Sequence, residues 1–251
     1  MAKTRQIPSP NPLENPTNAE LNVPLHDGTD EQISIVIVHK DRPEFLNICL
    51  QSIAVMSFNN NFEIIVVDNG SGKDSQDFLD SIKDEVTVVR NEKNEYWSVA
   101  ANKGAEATNK NSKYIIFMHC DVVVLNPGWL DLLVSVAESQ ESGLVGIEMK
   151  SYYLQQQKVD FVEEWCVLVS RECWKDCGPF PKELPQIGPA FILSLKAQRE
   201  GYKPQVMRNP ICHHYRIFSL NINEYEKLTE AAMVDIPKVL RKFQGQPVIA
   251  E

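Results

Sequence analysis

The chain has 251 residues, a formal net charge of -9 and a sequence pI near 5.2, with 43% hydrophobic and 24% charged residues. The acidic balance and the lack of any Lys/Arg run argue against a general nucleic-acid binder, because that affinity depends mainly on cationic side chains. No apolar stretch approaches the ~20 residues that a membrane span needs, and the N-terminus lacks the apolar core of a signal peptide, so we expect a cytoplasmic protein without a transmembrane segment.

The N-terminal segment, residues 1–31, is predicted to be a flexible leader, because prolines recur among Asn, Thr and Ser without apolar periodicity. A continuous β-branched run, ISIVIVH (33–39), then predicts a strand buried on both faces. A helix is expected to follow, with Asp41 as its N-cap and Pro43 in its first turn. The unit repeats with the strand FEIIVVD (62–68), a Gly/Ser/Asp turn and a second helix.

Strands and helices continue to alternate along most of the chain. Further strands are predicted at 85–89, 113–119, 143–147, 165–170 and 205–207, and further helices at 97–109, from residue 127 onward and up to about residue 200. One or two helices are expected over 221–242, with a break at Pro237, because proline interrupts a helix interior. This alternation predicts an α/β fold with a mostly parallel, doubly wound sheet, whose ligands bind beyond the carboxyl ends of the strands.

Acidic and imidazole side chains at the predicted strand ends are the candidate binding residues. Asp68 in VVDNGSG could bind ribose hydroxyls or, through a divalent cation, a diphosphate, and the alternative is an ordinary turn-forming Asp. Asp121 stands between two apolar segments, where an unpaired carboxylate costs several kcal/mol, so we expect a partner or a metal unless it only caps a loop. His119 would point to the same side if its strand persists.

Histidines and cysteines supply further metal-ligand types. His213 and His214 offer an imidazole that could join Asp121 on a metal, although either could equally be an ordinary hydrogen-bonded histidine. The six cysteines form no CxxC pair and are expected to be reduced and mostly buried. A zinc site among the cysteines after residue 165 would have spacings unlike those of a finger or ribbon.

Five segments follow one another along the chain: ISIVIVHKDRPEFLNICLQSI, IIVVDNGS, NEYWSVAANKG, YIIFMHCDVVVLNPGWL and WCVLVSREC...CGPFP. In this order they resemble the inverting family-2 glycosyltransferases of the GT-A fold. The resemblance covers about residues 33–215 and implies a single GT-A domain over 32–218. Residues 219–251 are then expected to form a C-terminal helical extension, which offers a surface through which copies of the chain could associate.

The resemblance also implies which residues form the site. The residues implied for the nucleotide sugar are His39, Asp41, Asp68, Asn102, His119 and Asp121. Asp68 takes the place of the acid that contacts the nucleotide base, and Asn102 belongs to the helix that borders the nucleotide. Asp121 and the late histidine His213, with His214 as the alternative, would hold Mn²⁺ or Mg²⁺, which offsets charge on the departing nucleoside diphosphate.

The family's catalytic base has no counterpart at its usual place. Relatives carry an acidic pair after a glycine at the start of a helix, whereas this chain has Gly188-Pro189-Ala190 there. The base must take the proton of the acceptor hydroxyl on the face opposite the leaving group. Glu183 is the nearest substitute, with Glu163 and Glu164 as more distant candidates, and each could instead be a solvated surface acid.

Two functions remain open at this point. The first is metal-assisted, inverting transfer of a sugar from a nucleoside-diphosphate donor, with UDP or dTDP favoured, to a glycan or another hydroxyl acceptor. The second is a catalytically impaired relative that binds a nucleotide sugar or a glycan, or acts in assembly. A nucleotidyltransferase is disfavoured because VHKDRPEFL lacks the Gly-rich phosphate loop that such enzymes carry after the first strand.

Overall fold

The described part of the chain alternates strands and helices from its first residue. A computed structural model describes residues 33–57, 61–154, 157–207, 211–216 and 222–242. The predicted leader, residues 1–31, lies outside them.

Eleven strands and seven helices are present in the described residues. The strands are β1 (Ile33–His39), β2 (Phe62–Asn69), β3 (Thr87–Asn91), β4 (Tyr114–His119), β5 (Val122–Val124), β6 (Leu144–Gly146), β7 (Met149–Leu154), β8 (Gln157–Val162), β9 (Cys166–Ser170), β10 (Gln205–Val206) and β11 (Cys212–His214). The helices are α1 (Pro43–Met56), α2 (Lys73–Ser81), α3 (Tyr96–Ala107), α4 (Trp129–Ser139), α5 (Arg171–Cys177), α6 (Pro189–Arg199) and α7 (Ile222–Lys242). No helix in this part of the chain combines the length and the apolar character that crossing a membrane requires.

Seven strands form one sheet in the order β10-β6-β9-β4-β1-β2-β3. All neighbouring pairs are parallel except those that involve β9, which runs antiparallel to both β4 and β6. The central strands are buried along nearly their whole length, as their β-branched sequences predict. The expected mostly parallel α/β sheet is therefore confirmed. Two smaller antiparallel pairs, β5 with β11 and β7 with β8, stand beside it.

The register of the central strands brings their carboxyl ends to one edge of the sheet. His39 on β1 pairs with Asp68 on β2, and Val38 on β1 pairs with His119 on β4. Three residues that the sequence places at strand ends therefore share this edge, where ligands of doubly wound sheets bind.

Helices cover both faces of the sheet, as a doubly wound fold requires. The apolar faces of α1, α2 and α4 pack in one buried cluster, and those of α3, α5 and α6 pack in another on the opposite face. Helix α3 approaches the sheet closely at Gly104, where a Cβ atom would lie 2.3 Å from Val36 Cγ1 and 2.9 Å from Val67 Cγ2. Glycine at this position is therefore required by packing.

The C-terminal helix differs from the expectation of a break at Pro237. Helix α7 continues through Pro237 to Lys242. Ala232 and Ile236 before the proline, and Val239 and Leu240 after it, are buried in a cluster with α6 and β8. Burying each large apolar side chain contributes about 1.5–3 kcal/mol, so burial on both sides offsets the roughly 3 kcal/mol cost of an internal proline.

The start of α1 also differs from the expectation, because Asp41 does not cap it. The N-cap is Arg42, which has a left-handed conformation and makes no side-chain capping hydrogen bond. The Asp41 carboxylate instead accepts a hydrogen bond of 2.8 Å from the Gly72 main-chain N–H. Asp41 therefore joins the loops after β1 and β2 through this hydrogen bond and does not cap α1. The sequence analysis also missed the β7–β8 pair, strands β5 and β11, and helix α5.

Candidate functional site

Asp68 lies buried at the end of β2, where its carboxylate is committed to neighbouring groups. Its Oδ2 lies 3.1 Å from Arg90 Nη1, and its Oδ1 accepts a hydrogen bond of 3.0 Å from the Ser71 main-chain N–H. The side chain is only 2% exposed. Asp68 therefore orders the loop after β2, and its neighbour Asn69 is the residue that lines the adjacent cavity.

His39 and Asp41 line neither of the two cavities at this edge of the sheet, and their part in nucleotide binding stays a prediction. Asp41 joins the loop after β1 to the loop after β2, because its main-chain N–H also donates to Ser71 Oγ at 2.9 Å. His39 is fully buried, and neither ring nitrogen has a hydrogen-bond partner among the described residues. Burial lowers the pKa of His39 to about 4, although the nearby charges of Asp68 and Asp41 act in the opposite direction.

His119, Asp121 and His214 form a compact group of metal-ligand side chains. One potential ligand atom from each lies within 4.8 Å of the others. The antiparallel pairing of β5 with β11 sets Val122 opposite His214, which brings His214 Nε2 to 3.2 Å from Asp121 Oδ1. Among the described residues this is the one group of three or more His, Cys, Asp or Glu side chains close enough to share an ion, and it contains no cysteine.

Two properties of the group fit a divalent cation. His119 Nε2 is buried without a hydrogen-bond partner in the described residues, which a metal bond would satisfy. Burial and the nearby His214 lower the pKa of His119 to about 4, against the opposing charge of Asp121, so its imidazole is neutral and has a free lone pair. Two imidazoles and one carboxylate suit first-row divalent metals such as Mn²⁺.

The histidine beside Asp121 is His214, the alternative to His213. His213 is exposed and its ring packs against Tyr215 at a centroid distance of 5.0 Å. The two side chains point to opposite faces because they are successive residues of β11. His214 is held by Trp165, whose ring stacks on it at 5.1 Å with an interplanar angle of 17°.

Two cavities meet at this group and share His119, Asp121 and Gln186. The first, of about 80 Å³, is lined by residues from the ends of β1 and β2, including Lys40, Arg42 and Asn69. Its two cations contrast with the acidic charge of the whole chain. They make this side of the group suitable for an anion such as a diphosphate.

The second cavity is larger, at about 420 Å³, which lies in the range of small-molecule sites. Helix α7 supplies one apolar wall, with Ala232, Met233 and Ile236. The C-terminal helix thus contributes directly to this cavity, although the domain boundary at residue 218 stays a prediction.

Three glutamates also line the second cavity. Glu148 lies 3.1 Å from Arg216 Nη2, and Glu163 lies 3.0 Å from Lys150 Nζ. Burial, followed by the neighbouring charge of Glu163, raises the pKa of the third, Glu164, to about 8.

Asn102 and Glu183 are not brought to the two cavities. The Asn102 amide donates to the Phe180 carbonyl and accepts from the Phe180 N–H, both at 2.9 Å, and so holds the loop before α6. Glu183 lies on that loop and is exposed. Neither residue lines the cavities described above.

Several lining residues escaped the sequence analysis. Glu148, Trp165 and Arg216 sit on segments whose positions depend on long-range pairing. Lys40 and Arg42 could have been found from the sequence, because they directly follow a predicted buried strand, where ligands of such sheets bind.

Comparison with known sequences agrees with this geometry. The profile described as glycosyl transferase family 2 matches residues 34–162, just over half of the 251-residue chain. The chain belongs to glycosyl transferase family 2. The matched range contains every strand of the main sheet except β9 and β10, together with Asp68, His119 and Asp121.

Two curated relatives match part of the chain. The O-antigen biosynthesis protein RfbC of Myxococcus xanthus is 28% identical over 148 residues, which is 59% of this chain and 11% of the relative. The uncharacterized protein y4gI of Sinorhizobium fredii (strain NBRC 101917 / NGR234) is 32% identical over 125 residues, or 48% of this chain and 13% of the relative. The match therefore spans about a tenth of each relative's length.

Solved glycosyltransferase structures share the fold. The mannosyltransferase PcManGT from Pyrobaculum calidifontis, in complex with GDP-Man and Mn²⁺, superposes with a TM-score of 0.56 at 14% identity over 80% of this chain and 60% of that one. GalNAc-T7 with UDP, GalNAc and Mn²⁺ gives a TM-score of 0.59 at 16% identity over 82% and 48%. TarS of S. aureus gives 0.58 at 15% identity over 82% and 39%. At such identities the likeness establishes the GT-A fold alone.

Proposed function

We propose that this family-2 domain binds a nucleoside-diphosphate sugar with a divalent cation and transfers the sugar, with inversion, to a glycan or another hydroxyl acceptor. The observation that carries the proposal is the His119–Asp121–His214 group at the junction of two cavities. A cation held there would offset the negative charge that develops on the departing diphosphate.

The first cavity is assigned to the nucleotide diphosphate. Lys40 and Arg42 line it and supply positive charge next to the metal-ligand group. Asn94 and Gln186 add amide N–H groups that can hydrogen-bond to ribose or phosphate oxygens, whereas the Asn69 amide already bonds to Asn91, Asn94 and the main chain. The complexes of PcManGT with GDP-Man and Mn²⁺, and of GalNAc-T7 with UDP and Mn²⁺, support a metal–nucleotide pairing of this kind.

The second cavity is assigned to the transferred sugar and its acceptor. In the displacement, the acceptor oxygen bonds to the anomeric carbon while the bond from that carbon to the phosphate oxygen breaks. The nucleoside diphosphate leaves with the bonding electron pair. The acceptor proton must pass to a base on the acceptor side, so the second cavity must provide one for transfer to proceed.

A noncatalytic binding role is the second candidate, and a specific observation favours it. The segment in which relatives place their base borders the second cavity through Gly188 and Phe191, and carries Pro189 and Ala190 instead of an acidic pair. Binding without turnover would identify this second role.

Calorimetric titration tests the site. The wild type should bind one of UDP, GDP or dTDP in the presence of Mn²⁺ and lose that affinity without the metal. Asp121→Asn should weaken Mn²⁺-dependent binding by more than about 100-fold, because changes even beyond the metal's own ligands cost about 10–100-fold. Asp84→Asn, at an exposed turn, is the matched control and should bind as the wild type does. Metal-independent binding, or unchanged affinity in Asp121→Asn, would contradict the proposal.

A further inference from the structure

We infer that Glu164 is the general base that activates the acceptor hydroxyl, replacing the carboxylate missing from the start of α6. This inference rests on the proposed function. It assigns a catalytic role to a residue outside the position where the family carries its base.

The position of Glu164 is fixed by its neighbour Trp165. The His119 main-chain N–H donates to the Trp165 carbonyl at 3.0 Å, and the Trp165 ring stacks on His214. Trp165 Nε1 also donates to Glu148 at 3.1 Å. Trp165, the residue directly after Glu164, therefore contacts the main chain of one metal-ligand residue and the side chain of another, which holds Glu164 beside the metal-ligand group.

Glu164 lines the same cavity as the start of α6, where relatives carry their catalytic base. It lines the second cavity together with Asp121, and Gly188 and Phe191 line that cavity at the start of α6. A carboxylate from the β8–β9 connection therefore reaches the cavity that the acidic pair of relatives would border.

Among the cavity's three glutamates, Glu164 is the one available for proton transfer. Glu148 pairs with Arg216, and Glu163 pairs with Lys150. Glu164 makes no salt bridge with any residue that the structure describes. A paired carboxylate is a weaker base because its cationic partner stabilises the ionised form.

The environment of Glu164 also suits a base. Burial raises its pKa to about 8, and the charge of Glu163 acts in the same direction. General base catalysis is most effective when the pKa of the base lies near the working pH. The other titratable or charged groups facing this cavity are His119, Asp121, Glu148, Lys150, Glu163, His214, Arg216 and Tyr225.

Chemically, the Glu164 carboxylate accepts the proton of the acceptor O–H as the oxygen forms its bond to the anomeric carbon. The bond from that carbon to the phosphate oxygen breaks, and the nucleoside diphosphate departs. With water as the acceptor, the same steps give the free sugar, so donor hydrolysis reports on the base without knowledge of the natural acceptor.

The test measures nucleoside diphosphate release from GDP-mannose, UDP-glucose, UDP-GalNAc and dTDP-glucose with Mn²⁺. Glu164→Gln should lower kcat at least about 100-fold, since general bases contribute about 10²–10⁴-fold. Its dissociation constant for the Mn²⁺-nucleotide should stay within about threefold of wild type, which also shows that the variant is folded. Glu106→Gln, on the exposed face of α3, is the matched control and should keep wild-type kcat.

Azide separates proton transfer from other roles of Glu164. Azide needs no deprotonation, so it should restore nucleotide release in Glu164→Ala and give the glycosyl azide with inverted configuration, as a C–N bond replaces the C–O bond to phosphate. A kcat for Glu164→Gln within threefold of an active wild type, or loss of turnover in Glu183→Gln instead, would overturn the inference.

The two proposals fail in different ways. A wild type that binds a Mn²⁺-nucleotide but releases none from any of the four donors overturns the role of Glu164 and leaves the binding site standing. A wild type that binds no nucleotide overturns the proposed function itself.

Discussion

Replacing Asn102 with alanine should destabilise the protein by several kcal/mol, because this side chain satisfies two main-chain groups of a buried loop residue. The Asn102 amide makes hydrogen bonds of 2.9 Å to both the N–H and the carbonyl of Phe180. Phe180 is 1% exposed and Asn102 is 6% exposed, so water cannot replace the lost partner without rearrangement. Each buried polar group left unsatisfied costs about 1–3 kcal/mol, so the two Phe180 groups predict a loss of roughly 2–6 kcal/mol in the free energy of unfolding.

Urea denaturation followed by tryptophan fluorescence measures this loss. Trp97 is a suitable reporter because its ring packs against Phe180 at a centroid distance of 4.7 Å. Asn111→Ala, at an exposed turn, provides the matched control and should change the free energy of unfolding by less than about 0.5 kcal/mol. If Asn102→Ala also changed the free energy of unfolding by less than about 0.5 kcal/mol, the structural role of Asn102 would be refuted.

Two further predictions concern packing and pH. Gly104→Ala should lower the free energy of unfolding by about 1–3 kcal/mol in urea denaturation, because its Cβ would collide with Val36 and Val67; unchanged stability would show that α3 can move away from the sheet. The pKa of His39 falls from 6.5 in the unfolded chain to about 4 in the folded one, so its contribution to stability is complete above pH 6.5 and is lost as the pH falls toward 4. The free energy of unfolding should fall by about 3 kcal/mol from this cause. His39→Gln should remove that part of the difference in stability between pH 7 and pH 4, as measured by urea denaturation at the two pH values. An unchanged pH dependence in His39→Gln would exclude His39 as the source.

The main strands and the mostly parallel sheet were predictable because each strand is marked by its local sequence, whereas the strand order and the antiparallel β9 were not predicted. The runs 33–39, 62–68 and 113–119 are largely apolar and contain Ile or Val, and turns and helical spacing separate them. Asp121 and His119 were also accessible, because polar residues at the end of an apolar strand violate the local pattern. Strands and the polar residues at their ends can therefore be predicted from short-range periodicity.

The remaining features depend on contacts between distant segments. The choice between His213 and His214 is made by the register of β11 against β5, which no local pattern reveals. Asn102 is a buried side chain whose partner lies 78 residues away. Glu164 is distinguished from Glu163 by the salt bridge that Glu163 makes with Lys150, a contact that arises only when β7 and β8 come together.

The central claim is that His119, Asp121 and His214 hold the cation of a nucleotide diphosphate. Anomalous diffraction from crystals grown with Mn²⁺ and the best-binding nucleotide tests it most directly. The account predicts one Mn²⁺ peak held by His119, Asp121 and His214, with the diphosphate bound on the side of Lys40 and Arg42. Nucleotide bound with no Mn²⁺ peak at these three side chains, or Mn²⁺ bound elsewhere, would contradict it.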